Sequence, residues 1–176
     1  MGTWKNRGLR GSVLEEYINY SNERYREKGL ALIQKIPTPI TPIEINKSTK
    51  HITLAYFGKK STVDYIGAVQ NIPVCFDAKE CAKTNFSLAN VHEHQLQFMQ
   101  DFEKQGGVAF LIIYFKSLDR IIYVSLKDLL PFFERMKNGG RKSFEFEELD
   151  EEYLIPRQGD IVVHYLHSLG VYLSRC

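Results

Sequence analysis

An uninterrupted apolar run, Val108–Phe115, constrains the fold of this 176-residue chain more than any other feature. The run reads VAFLIIYF, and only its tyrosine carries a polar side-chain atom. A strand of this composition is buried on both faces, so helices must cover the sheet that holds it. The run is too short to cross a bilayer, which takes about 20 residues. We therefore expect an α/β protein with a mixed central sheet, and the length predicts a single domain over residues 1–176.

Helices are indicated at both ends of the chain and in its middle. The first is predicted to begin after Ser12, because Ser12 with Glu15 three residues later is typical of a capping box. Gly29 is expected to end it, and Leu30–Ile36 is typical of a strand. Further helices are predicted over about His92–Lys104, over about Lys127–Lys137, and as a short acidic helix from Ser143 to about Glu152. Asp160–Leu173 fits a helix or a strand, and we prefer the helix.

A proline-rich segment, Pro37–Pro42, contains three prolines in six residues. This density excludes a helix and any central strand, and it favours a stiff, extended course. Apolar and polar residues alternate beyond it, around the polar turn Asn46–Lys50. We predict a projecting hairpin with a basic tip over about residues 37–59, here called the stalk. A long non-helical excursion from a compact domain is often functional.

A second hairpin is predicted over residues 62–80, with its turn at Gln70-Asn71. Its strands are Thr62–Val69 and Ile72–Glu80. A ladder centred on this turn places Asp64 across from Asp77, and Lys79 shares the face of Asp77 because side chains alternate along a strand. The hairpin therefore brings two carboxylates and a lysine to one face.

Two carboxylates beside a lysine suit a hard divalent cation, since Mg²⁺ takes oxygen ligands and keeps several waters. Such a cation activates water and stabilises charge on a phosphodiester. Lys79 can orient or deprotonate the attacking water, or neutralise the transition state, and the sequence leaves these roles open. An ordinary salt pair on the protein surface is the other interpretation, because Asp-x-Lys is a common tripeptide.

Charge is unevenly distributed, although the formal net charge is only +2. Residues 1–60 hold eleven Lys or Arg and five Asp or Glu, a net +6, while residues 61–120 and 121–176 each carry −2. A basic segment on a mildly acidic body suggests a polyanionic partner, with a solvated lysine-rich surface as the alternative.

The cysteines and the N-terminal residues favour the cytoplasm. Cys75, Cys81 and Cys176 form no Cys-x-x-Cys motif, and their odd number is typical of a reduced compartment. Residues 1–7 contain no apolar signal core. His92 and His94 share a face only in an extended segment, and a helix is predicted to begin there, so we expect no zinc site.

Several segments together resemble the RecU-type Holliday junction resolvases of the PD-(D/E)xK nuclease superfamily. The predicted hairpin with Asp64, followed by Asp77-Ala78-Lys79, resembles the superfamily motif. The matching segments keep their order over about residues 6–173. They are Asn6-Arg7-Gly8, Leu14-Glu15-Glu16, Pro37-Thr38-Pro39-Ile40, Ala55-Tyr56-Phe57, Ser61–Gly67, Phe76–Glu80, His92-Glu93-His94-Gln95 and Gly139–Ser143.

The resemblance implies a restriction-endonuclease-like core, with a mixed central sheet flanked by helices and the stalk projecting from it. It implies a homodimeric endonuclease that uses Mg²⁺, or Mn²⁺ as a substitute, to resolve four-way (Holliday) DNA junctions in homologous recombination and DNA repair. Asp64 and Asp77 would hold the metal, and Lys79 would be the catalytic lysine.

Three more residues would complete the site by this resemblance. Thr62 and Glu15 would join the metal ligands, and Gln95 would support metal-bound water or phosphate from the helix beside the site. Glu15 is also the third helical residue of the predicted capping box, and Glu16 is the alternative acid.

The chain departs from the family pattern in two respects. Asp77 stands where relatives usually carry glutamate, which sets the ligand back by about 1.5 Å. The compact length, with little N-terminal arm, resembles a phage or prophage version, and a recombinase partner is therefore an open expectation.

The stalk would enter the centre of the junction, and basic residues are the candidates for DNA contact. They are Lys47, Lys50, Arg7, Arg10, Lys59 and Lys60. Two alternatives stay open: a nuclease for linear or other branched duplex DNA, and a non-catalytic DNA-binding accessory protein of recombination.

Overall fold

The computed structural model of the protein describes residues 12–58 and 62–175, which form four α-helices and nine strands. The helices are α1 (Val13–Glu27), α2 (Glu93–Lys104), α3 (Leu126–Lys137) and α4 (Tyr165–Leu173). The strands are β1 (Leu32–Lys35), β2 (Ile40–Ile45), β3 (Ile52–Phe57), β4 (Tyr65–Val69), β5 (Ile72–Cys81), β6 (Asn85–Ser87), β7 (Val108–Phe115), β8 (Arg120–Ser125) and β9 (Ser143–Glu145). None of these helices has the length and apolar character needed to cross a membrane.

Five strands form the central sheet, in the order β1-β4-β5-β7-β8. β5 and β7 run parallel, and the other neighbouring pairs are antiparallel. The apolar run identified in the sequence is β7, and all of it except the half-buried Tyr114 is buried. The predicted α/β fold with a mixed central sheet flanked by helices is therefore confirmed.

The aromatic core lies under one face of this sheet. The Phe76 ring stacks between Tyr65 and Phe110, with ring centroids 4.7 and 4.8 Å apart, and it meets Tyr165 of α4 at 5.1 Å. Tyr25 of α1 contacts the edge of Tyr165 at 5.2 Å. α1 and α4 therefore cover the face to which Phe76 points. Because side chains alternate along a strand, the residue that follows Phe76 points to the opposite face.

Helix α1 begins after Ser12 and ends before Gly29, as predicted, and Ser12 forms its half of the predicted capping box, while the Glu15 carboxylate pairs with Lys35. The Ser12 hydroxyl accepts a hydrogen bond from the backbone N–H of Glu15 at 3.2 Å, which satisfies one of the unpaired N–H groups of the first turn. At the other end Gly29 adopts a φ of 65°, in the left-handed region that favours glycine after a helix.

The stalk is the antiparallel pair β2–β3, as predicted. Ile40 pairs with Phe57 near its base and Ile45 with Ile52 near its tip, and the N–H of Gly58 donates to the Pro39 carbonyl at 2.8 Å. The prolines fit here because this two-stranded ribbon joins no central sheet. Six large apolar side chains of the stalk are exposed: Ile40, Ile43, Ile45, Ile52, Leu54 and Tyr56.

Two helix predictions near the C-terminus are wrong or too long. Ser143 begins strand β9, which pairs with β6, and the acidic stretch after it forms only single 3-10 turns. Pairing with β6 buries Phe144 against Phe86, with ring centroids 5.2 Å apart, and this burial outweighs the local preference for a capped helix. The helix predicted over Asp160–Leu173 begins only at Tyr165.

Candidate functional site

The turn between β4 and β5 sets the register that brings two carboxylates together. Gln70 and Asn71 have φ values of 45° and 73°, as a two-residue hairpin turn requires. The last pair of the ladder, away from the turn, is Tyr65–Phe76. Asp64 therefore lies across from the residue after Phe76, the position predicted from the sequence.

Asp64 and Asp77 hold each other in place through the main chain. The N–H of Asp64 donates to Asp77 Oδ1 at 2.7 Å, and the N–H of Ala78 donates to Asp64 Oδ2 at 3.0 Å. Each carboxylate thus accepts a hydrogen bond from the opposing strand. The structure brings the two acids together, as their spacing predicts.

Lys79 lies beside the buried carboxylate, on the same face of β5. Asp77 is fully buried, and the side chain of Lys79 is 17% exposed. The Lys79 ammonium is 3.0 Å from Asp77 Oδ2. This pair is therefore not the solvated surface pair of the alternative interpretation. Removing one partner would leave an uncompensated buried charge.

Gln95 connects this lysine to helix α2. Gln95 Oε1 accepts hydrogen bonds from the backbone N–H of His92 at 3.1 Å and from the Lys79 ammonium at 3.4 Å. The side chain is therefore fixed at the start of α2 and faces the site. The structure thus places Gln95 beside Lys79, and its role stays a prediction.

Glu15 approaches the pair from α1. Its carboxylate is 2.7 Å from the ammonium of Lys35, at the end of β1. After burial and the charge of Asp77, the charge of Glu15 also raises the pKa of Asp64, whereas Glu16 is exposed. Of the two acids that the sequence leaves open, Glu15 is therefore the one whose charge reaches Asp64, and its role as a metal ligand stays a prediction.

Burial and the nearby charge of Asp77 disfavour the charged form of Asp64. Burial, and after it the neighbouring charge of Asp77, raise the pKa of Asp64 from 3.8 to about 6. The Ala78 N–H and the Lys79 ammonium act in the opposite direction. Asp64 thus keeps its charge at neutral pH against an unfavourable environment that a bound cation would offset.

The other predicted site residues that the structure describes make none of the contacts given above. Thr62 is half-buried in the bend two residues before Asp64. Lys47 and Lys50 are exposed in the stalk turn, where Asn46 Oδ1 accepts the N–H groups of Ser48 and Thr49. Four candidates lie outside the described residues: Arg7, Arg10, Lys59 and Lys60.

The acid pair fits a hard cation, as two observations indicate. Asp77 Oδ2 is buried and accepts no hydrogen bond of good geometry, although the Lys79 ammonium is near. Asp64 has a raised pKa, and its side chain offers only oxygen atoms as metal ligands. In residues 12–58 and 62–175, no three His, Cys, Asp or Glu side chains form a metal-binding group. A cation that keeps several of its waters, as Mg²⁺ does, needs few protein ligands, and Asp64 and Asp77 offer two carboxylates.

The sequence predictions did not include two residues that position this site. Lys35 pairs with Glu15, and Glu80 accepts a hydrogen bond from the Leu14 N–H at 2.9 Å. Both contacts link segments distant in the chain, so no local pattern marks them. The only sequence signal for Glu80 is its place directly after Lys79.

Replacing Asp64 by asparagine should stabilise the metal-free protein above pH 6. The folded carboxyl has the higher pKa, so between about pH 4 and pH 6 the native state binds more protons than the unfolded state, and its stability falls as the pH rises. Asparagine removes this penalty and keeps an acceptor for the Ala78 N–H. We expect a gain of roughly 2 kcal/mol at pH 7.5 and almost none at pH 4.

Urea unfolding at several pH values, in the presence of a chelator, measures this effect. Asp101→Asn, at an exposed acid of α2, is the control and should show no such gain. A stability difference for Asp64→Asn that does not depend on pH would contradict the assignment.

By fold and site, the chain is an α/β protein with a candidate acidic metal centre on a hairpin of its central sheet. It belongs to the RecU family, because the family model described as Recombination protein U matches residues 9–170. It is 41% identical over 167 residues to the Holliday junction resolvase RecU of Pediococcus pentosaceus, covering 92% of this chain and 83% of that protein. The RecU of a Geobacillus species is 40% identical over 149 residues, covering 82% and 74%.

Among solved structures, the Holliday junction resolvase Hjc of Archaeoglobus fulgidus matches with a TM-score of 0.36 and 7% identity. The match covers 64% of this chain and 74% of that one.

Proposed function

We propose that this chain is a structure-selective endonuclease that resolves four-way DNA junctions by metal-dependent hydrolysis of phosphodiester bonds. The observation that carries the proposal is the buried Asp64–Asp77 pair with the Lys79 ammonium 3.0 Å from it. The pair occurs in a member of a family whose relatives are named Holliday junction resolvases. Recombination and repair are the processes that such an activity serves.

Mg²⁺ is the cofactor that we propose, with Mn²⁺ as its substitute. Asp64 and Asp77 would hold it, with Thr62 and Glu15 beside them. When bound, such a cation supplies an activated water and stabilises negative charge on the phosphodiester. The hydrogen bonds between the two aspartates and the main chain hold both carboxylates in position for the ion.

Lys79 would stabilise negative charge on the reacting phosphate. Its ammonium is held between Asp77 Oδ2 and Gln95 Oε1, at 3.0 and 3.4 Å. A cation fixed in this way, in a largely buried position, neutralises charge that develops on a reacting phosphate without having to reorganise. Gln95 keeps the ammonium in place through its link to the start of α2.

A homodimer suits this substrate, because a two-fold axis presents two equivalent sites to opposed strands of a junction. The basic N-terminal third would supply phosphate contacts and most of the affinity, and DNA shape would supply selectivity. Lys47 and Lys50 would touch DNA from the stalk tip, and Arg7, Arg10, Lys59 and Lys60 are further candidates. A recombinase partner and a cytoplasmic location complete the proposal.

The purified protein should cut a synthetic four-way junction into paired nicked duplexes in Mg²⁺ or Mn²⁺, and shortening the stalk should selectively remove this activity. The hydrogen bond between Gly58 and Pro39 closes the stalk base, so a short glycine-serine turn can replace residues 40–57 without opening the core. Because the stalk projects from the sheet that holds the site, we expect metal binding to be unchanged.

Cutting of the junction and of a linear duplex by both proteins decides among the alternatives. Equal loss on both substrates would favour a nuclease for linear or other branched DNA. An intact junction with wild-type protein over a range of Mg²⁺ and Mn²⁺ would favour a non-catalytic accessory protein. The double variant Lys47→Gln with Lys50→Asn removes the charge of the stalk tip but keeps its length, since asparagine tolerates the φ of 57° at position 50. It should weaken junction binding, because both lysines are proposed DNA contacts.

A further inference from the structure

The strands that carry the candidate site also hold helix α1, through the residues next to the site residues. Tyr65 follows Asp64 and Glu80 follows Lys79, so in each strand the side chains of the two neighbours point to opposite faces. The Tyr65 hydroxyl donates to Asn19 Oδ1 at 3.0 Å. One face of these strands therefore bears the candidate chemistry, and the other anchors the helix from which Glu15 projects.

Glu80 is the anchor at the very start of α1. Its Oε1 accepts the N–H of Leu14 at 2.9 Å, one of the first-turn N–H groups that have no partner within a helix. Its Oε2 pairs with the ammonium of Lys116, which follows β7. The Glu80 side chain is only 16% exposed, so it bridges the helix and the sheet from a largely buried position.

This contact determines where Glu15 lies, because Glu15 is the next residue after Leu14. The Leu14 side chain is fully buried, and the Ser12 hydroxyl caps the Glu15 N–H, so the first turn is held at consecutive residues. Without Glu80, the Leu14 N–H would lose its acceptor, and the Ser12 side chain would lose its hydrogen bond to the same carboxylate. The Glu15 carboxylate would then be held toward Asp64 chiefly by Lys35.

We infer that Glu80 is a positioning residue that fixes the first turn of α1 and thereby sets the contribution of Glu15 to metal binding. This inference rests on the proposed function, because it concerns the affinity of the same site. It assigns to Glu80 no contact with DNA or with the reacting phosphate.

Titration calorimetry with Mn²⁺ tests the inference. Glu80→Met should weaken binding about tenfold, the loss usual when a residue that supports a metal ligand is removed. Glu80→Gln keeps an oxygen for the Leu14 N–H and should stay within about threefold of wild type. In a Glu15→Gln background, Glu80→Met should cause no further loss, because residues that act through one another are not additive.

The matched control is Glu27→Met, which removes an acid at the other end of α1, where it pairs with Arg24, and should leave Mn²⁺ affinity unchanged. Wild-type affinity in Glu80→Met, or the same tenfold loss in the Glu15→Gln background, would overturn the inference. If Glu80→Met does not fold, Lys116→Met takes its place. A loss of Mn²⁺ affinity in Lys116→Met that is smaller than tenfold would support the inference, and wild-type affinity would overturn it.

The outcomes also separate the inference from the proposed function. Absence of Mn²⁺ binding by the wild-type protein would contradict the proposed function and this inference together. Normal binding by the wild-type protein, with no effect of Glu80→Met, would contradict the inference alone.

Discussion

Replacing Asp77 by alanine should lower the rate of junction cleavage at least about a thousandfold, about 4 kcal/mol in the activation barrier, while junction binding persists. The carboxylate is fully buried, accepts the Asp64 N–H and faces the Lys79 ammonium. Its loss removes a proposed metal ligand and the hydrogen bond that orients the second one. No part of the basic stalk or of the N-terminal third is altered, so affinity for DNA should remain.

Three measurements on Asp77→Ala check this expectation. Cleavage of a labelled junction gives the rate, a binding assay with chelator present gives the DNA affinity, and calorimetry with Mn²⁺ gives the metal affinity. Asp101→Ala, at an exposed acid of α2, is the control for the loss of one negative charge. If Asp77→Ala kept a tenth of the wild-type rate, the proposed site would be wrong.

Replacing Lys79 by methionine should lower the cleavage rate by two to three orders of magnitude, roughly the loss seen when one electrostatic stabiliser is removed. Metal binding should survive and become tighter. The ammonium lies 3.0 Å from Asp77 Oδ2 and repels any cation placed there, so its removal frees that oxygen. The opposite responses of metal affinity in Asp77→Ala and Lys79→Met distinguish a ligand from a charge that acts on the phosphate.

Lys79→Arg addresses how the lysine acts. Arginine stays protonated, so it can stabilise charge but cannot serve as a base. Partial recovery relative to Lys79→Met would support electrostatic stabilisation, and a rate equal to that of Lys79→Met would support a base. Lys83→Met, an exposed lysine just beyond β5, is the control and should cut at the wild-type rate. Weaker Mn²⁺ binding by Lys79→Met would contradict the proposed arrangement.

Local patterns predicted the parts of the site that depend on one hairpin. The turn at Gln70-Asn71 sets the register, and register alone determines that Asp64 meets Asp77 and that Lys79 shares its face. The Ser12 cap and the stalk were predictable for the same reason, since each depends on residues within one turn or one ribbon.

Contacts between distant segments were not predictable in this way. Ser143 has the local signature of a helix start, yet it begins a strand because Phe144 is buried against β6. The choice between Glu15 and Glu16 also depends on packing, since buried Leu14 and Ile18 set the face that α1 turns toward the sheet. No spacing in the sequence encodes where that face meets β5.

The sequence by itself determined the buried strand, the proline-rich stalk and the acid–lysine hairpin, because strand alternation and turn geometry act over a few residues. Only the tertiary structure decided the contacts around the hairpin: Gln95 with Lys79, Glu15 with Lys35, and Glu80 with the Leu14 N–H. The physical reason is that burial and ion pairing act through space. The same packing that buries Asp77 and raises the pKa of Asp64 also brings these supports into reach.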